Sequence, residues 1–79
     1  MMTQSVEKKR HAFVQRWILK ELRQAMKPMT ALDLIERVAR KRCPYGYSRL
    51  AFAEVQTAMV QLLASRQIRV GPGLKLQIT

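Results

Sequence analysis

Glycine and proline occupy six positions in this chain, and all six fall in three places: Pro28, the pair Pro44 and Gly46, and the run Gly71-Pro72-Gly73. Both residue types interrupt regular structure, glycine through its conformational freedom and proline through its fixed φ and missing N–H. They cut the chain into three unbroken stretches, each long enough for a helix, followed by a short tail. With 79 residues there is room for one small domain, expected over residues 1–79, and its stability margin should be thin.

The first stretch predicts a helix over about residues 5–27, ended by Pro28. At 3.6 residues per turn it has three faces. Val14, Ile18, Leu19, Leu22, Ala25 and Met26 form a broad apolar face suited to a core. Lys9, Arg16, Lys20, Arg23 and Lys27 form a basic stripe. Val6, Phe13 and Trp17 form a second apolar strip, which either folds over the edge of the same core or meets another subunit. These three are the candidates for a homodimer interface.

The second stretch predicts a helix over about residues 31–42. Thr30-Ala-Leu-Asp33 has the form of a capping box, and Ala31, Leu34, Ile35, Val38 and Ala39 share one face. Its cations, Arg37, Arg40, Lys41 and Arg42, come late, where they complement the helix dipole. Cys43-Pro-Tyr-Gly-Tyr47 breaks the pattern, with Ser48 placed to cap a third helix over about 49–67. Ala51, Phe52, Val55, Met59, Leu62 and Leu63 are its expected buried face. The opposite face carries Leu50, Ala53, Glu54, Thr57, Val60, Gln61 and Ala64, with Arg49 and Gln56 on a flank. It is mostly small and uncharged, so it should meet something. The tail, about 68–78, alternates as a two-stranded hairpin around Gly71-Pro-Gly73, with Ile68, Val70, Leu74, Leu76 and Ile78 inward. The expected class is mostly α (α+β): three helices and a C-terminal hairpin.

Composition narrows the function. Fifteen Lys and Arg against five Asp and Glu leave a net charge of +10, which favours a polyanionic partner, nucleic acid first. One His, one Cys and one Asp supply neither a metal site nor a nucleophilic triad, so no enzyme, metal or cofactor is expected. A single cysteine excludes an internal disulfide, no apolar run is long enough to span a bilayer, and residues 1–10 lack the apolar segment of a signal peptide. The expectation is a cytoplasmic protein with no membrane association.

The element order, together with Val55-Gln-Thr-Ala-Met-Val-Gln-Leu-Leu-Ala-Ser-Arg-Gln-Ile-Arg-Val70, resembles the winged helix-turn-helix family from Met29 to Thr79. There the third helix runs through a Leu-rich end and a short polar link into a strand that opens on Ile. Gly71-Pro-Gly73 stands where the wing tip would be, and Met29-Thr30 matches the short extended segment before the second helix. The resemblance implies double-stranded DNA binding by a small transcriptional regulator, with helix three in the major groove and the wing on the backbone. Carried over, Arg49, Gln56, Thr57 and Gln61 are base-contact candidates. Tyr47, Ser48, Arg40, Lys41, Arg42, Arg69 and Lys75 are backbone candidates, with the helix-one stripe neutralising neighbouring phosphates. Because helix three carries no cation between Arg49 and Arg66 and has Glu54 on its outer face, the alternative is a winged-helix adaptor that binds a protein, or an accessory subunit of a nucleic-acid complex.

Overall fold

A computed structural model describes residues 2–44 and 49–79, with side chains from residue 7 onward. The expected turn at Tyr45 to Tyr47 and the expected cap Ser48 lie outside the described residues. Among the described residues the elements run in the order α1 (Met2–Ala25), β1 (Met29–Thr30), α2 (Ala31–Ala39), α3 (Phe52–Ala64), β2 (Ile68–Val70) and β3 (Lys75–Ile78), with a short 3-10 turn, Pro72–Leu74, between the last two strands. The architecture is mostly helical α+β. The sheet has three strands rather than the expected two, in the antiparallel order β1-β3-β2. The extra strand is Met29–Thr30, in register with Leu76 and Lys75.

The 3.6-residue period of α1 carries through to packing. Val14, Ile18 and Leu22 are buried, and they share a core with Leu34 and Val38 of α2, Val55, Ala58, Met59 and Leu62 of α3, and Met29, Ile68 and Leu76 of the sheet. At about 1.5 Å per residue α1 is roughly 36 Å long, which accounts for most of the 41 Å long axis of the molecule.

The helix ends differ from expectation in instructive ways. α1 stops at Ala25, before the expected core residue Met26. Met26 takes a left-handed backbone (φ 55°) and is 92% exposed. α2 ends at Ala39 instead of residue 42, where the Lys41 N–H donates to the Val38 carbonyl in a tighter turn. Thr30 caps α2 by accepting the Asp33 N–H on its hydroxyl. α3 begins at Phe52, three residues later than expected. Ala51 before it is extended (φ −83°, ψ 152°), so Leu50 and Phe52 do not follow the helical phase. Leu50 is buried and Phe52 half exposed, the reverse of the sequence reading, and Ala51 is exposed as well.

In the sheet, Ile68, Val70, Leu76 and Ile78 share one face through their pairings, as does Met29. Only Met29, Ile68 and Leu76 are fully buried. Val70 sits on the edge strand and stays half exposed, and Leu74 is in the turn, where it is 79% exposed with φ 57°. Both were expected inward. Gly73 beside it needs its left-handed φ of 72°.

At the end of α3 the Gln67 N–H donates to Leu62 O (3.0 Å) and the Arg66 N–H to Leu63 O (3.1 Å), a Schellman closure. It places Arg66, not glycine, at φ 63°. A side chain in that region costs roughly 1 kcal/mol. Arg66→Gly should therefore stabilise the chain by about 0.5–1 kcal/mol. A urea midpoint that rises with unchanged slope is the expected result; a lower midpoint would show that the arginine side chain contributes more than its backbone costs.

Candidate nucleic-acid interface

An ion pair at the margin of the core ties the start of α3 to α1. Arg10 follows the core phase of α1, one turn before Val14, and is only 9% exposed. Its Nε donates to Glu54 Oε2 (2.9 Å) and one terminal nitrogen donates to Glu54 Oε1 (2.7 Å). Glu54 lies in the first turn of α3, where Oε1 also accepts the Ala51 N–H (3.2 Å). Ala51 has no side-chain acceptor of its own, so this carboxylate does the capping. One glutamate thus caps α3 and fastens it to α1. The two hydrogen bonds from Arg10, with the Ala51 N–H, hold the Glu54 carboxyl below the usual range even though burial pushes it up; the same bonds raise Arg10. The sequence reading placed Glu54 on the open outer face and did not single out Arg10. The available signal was a cation in phase with an apolar stripe.

A second pair works the same way. Glu21, 7% exposed on α1, accepts from Lys41 just after α2 (3.0 Å). The Lys41 ammonium also lies 4.6 Å from the centre of the Trp17 ring, and that of Lys20 lies 4.5 Å from it. Phe13 packs edge-on to Trp17 (6.0 Å), and both rings are partly buried against the core. The structure thus accounts for Phe13 and Trp17 within one chain, and Lys41 is committed to Glu21 and Trp17. The side chain of Val6 is outside the described residues.

The base-contact candidates separate. Gln56 and Thr57 are exposed on α3 alongside Ala53, Val60 and Ala64, and Arg49 is exposed just before the helix. Gln61 turns toward α1: its side-chain oxygen meets His11 Nε2 and accepts from Gln15 (3.3 Å), whose amide nitrogen is 3.0 Å from His11. Of the backbone candidates, Arg40, Arg42, Arg69 and Lys75 are exposed, while Tyr47 and Ser48 lie outside the described residues. Arg69 pairs in register with Gln77, and Lys75 with Thr30, so both cations project from the sheet face away from the core.

Between α1 and α3 lies an open cleft of about 550 Å³, lined by Glu7, Arg10, His11, Val14, Ala53, Glu54 and Thr57. Among the described residues no three His, Cys, Asp or Glu side chains converge as a metal site, and no helix is long and apolar enough to cross a membrane. No protein-family model, curated protein or solved structure matches this chain.

The Arg10–Glu54 pair carries a pH signature. Because the folded Glu54 titrates below its ordinary 4.5, the stability it confers is complete above that value and is lost as pH falls through the folded value. Glu54→Gln should cost about 1–2 kcal/mol near neutral pH, discounted for the partial exposure of the carboxylate. It should also flatten the loss of stability on acidification below 4.5. Thermal melts of both proteins across that range check this; parallel acid limbs would mean other carboxylates dominate.

Proposed function

We propose that this chain is a winged-helix domain that binds double-stranded DNA and serves as a small transcriptional regulator. The observation that carries the reading is a helix whose outward face is exposed along its length, with Gln56 and Thr57 on it and Arg49 exposed just before it. It leads directly into a hairpin whose outer face bears Arg69 and Lys75. The order of helices and strands supports the family, since the short strand before α2 completes a β1-β3-β2 sheet beside three helices. The net charge of +10 supports a polyanionic ligand.

In this reading α3 lies in the major groove. Gln56 offers both amide groups to an adenine edge, Thr57 a methyl or hydroxyl, and Arg49 a planar fork that fits guanine or phosphate. Arg69 and Lys75 hold phosphates, as do Arg40 and Arg42 beyond α2. Gln61 and Lys41 leave this set, because α1 already occupies them. A protein-docking reading has one observation in its favour: Ala53, Val60 and Ala64 leave much of the same face small and uncharged.

Duplex binding measured at several salt concentrations, with selection from a random pool, separates the two. With about five phosphate contacts, log affinity should fall by about four to five per tenfold rise in salt. Gln56→Ala or Thr57→Ala should cost about 1–3 kcal/mol on the selected sequence and little on random duplex. Arg69→Ser should weaken all sequences alike and lower the salt slope by about one. If the α3 substitutions leave duplex binding untouched and abolish capture of a protein partner, the docking reading replaces this one.

A further inference from the structure

The outer face of α1 carries a row of cations that the reading above does not use. Lys9, Arg16, Lys20 and Arg23 are all exposed. Their spacing brings them to one side of the helix over about 21 Å. The two acids on the described part of α1 lie elsewhere. Glu21 is buried against Lys41, and Glu7 lines the cleft with His11. α3 packs against the side of α1 that carries Val14, His11 and Gln15. At 100° per residue that side is about half a turn from Arg16 and Lys20. The stripe therefore points away from α3, and a straight duplex lying on α3 does not reach it. The expectation that these cations neutralise phosphates next to the α3 site does not fit this geometry.

The occupant follows from the character of the face. Between its cations lies Ala12, and no large exposed apolar side chain is present among its described residues. Phe13, Trp17 and Leu19 pack against the core, and Lys20 covers the Trp17 ring. A helix that lies in a lipid interface needs an apolar face to insert, and this one has spent its apolar face on the core. A row of phosphates needs only cations in line. Phosphates of one strand rise about 3.4 Å each along the duplex axis while winding around it, so the stripe matches the axial rise of about six of them and faces those on the near side.

We propose that the outer face of α1 is a second nucleic-acid site, which grips the phosphate backbone of a duplex other than the one on α3, so that one molecule bridges two duplex segments. Bridging rests on the α3 reading; binding at the stripe does not. The test uses the full chain, one duplex fixed to beads and a second, fluorescent duplex in solution. Arg16→Ser/Arg23→Ser should retain binding of a single duplex within about threefold and lose capture of the second by tenfold or more. Arg49→Ser/Thr57→Ala should lose capture and the sequence-selective part of one-duplex binding, and keep the salt-dependent, sequence-independent binding through the stripe. Circular dichroism melts establish that both variants fold. Capture by the stripe variant at the unsubstituted level overturns the proposal, as does a parent protein that binds one duplex but never captures a second. If the α3 variant loses all duplex binding, the stripe is not a site. If the stripe variant loses all binding while the α3 variant binds normally, the α3 reading fails and bridging fails with it. Release of the stripe variant alone from vesicles of anionic lipid, with capture intact, would make the face a membrane surface instead.

Discussion

The apolar face of α1 organises the other elements. Val14, Ile18 and Leu22 reach one core that also receives Leu34 and Val38 from α2, Val55, Met59 and Leu62 from α3, and Ile68 and Leu76 from the sheet. In a chain this short a single core must serve every element, and hydrophobic contact alone does not specify how each helix is turned. Two ion pairs at the margin of that core add direction. Arg10 fixes the head of α3 through Glu54, and Glu21 fixes the end of α2 through Lys41. Breaking either would leave a charge mostly buried without its partner, which penalises other arrangements more than it favours this one.

Legibility in the sequence followed how local each signal was. Val14, Ile18 and Leu22 were readable because one period persists over many turns. The capping threonine of α2 was readable because its partner Asp33 is three residues away. The start of α3 was not, because its cap is a glutamate inside the helix whose geometry is completed by Arg10, 44 positions earlier. That hidden start is why Leu50 and Phe52 exchanged places. The strand Met29–Thr30 was visible as an extended segment, but two residues declare themselves a strand only through the partners Leu76 and Lys75.

The candidate interface divides along the same line. Exposure of Gln56, Thr57, Arg69 and Lys75 followed from local alternation and helical phase. Gln61 and Lys41 looked equally available in sequence and are held by side chains of α1 far away in the chain. Glutamine and lysine are long enough to find such partners, so pattern alone overstates how many of them a ligand can use.

These pairs also govern the field around the molecule. Each removes one acid and one cation together, so the +10 excess survives folding, while two of the five acids are drawn into helix junctions. The remaining cations of α1, of the sheet and of the end of α2 are left on the outside. At physiological ionic strength the screening length is about 8 Å. The shorter dimensions of the molecule are 23 and 19 Å. Cationic faces on different sides of it are therefore screened from one another and respond to separate anions. A helix with its apolar side on a shared core has nowhere to put a basic stripe except facing outward. It follows that the packing which stabilises α1 also turns its basic stripe away from the side on which α3 packs.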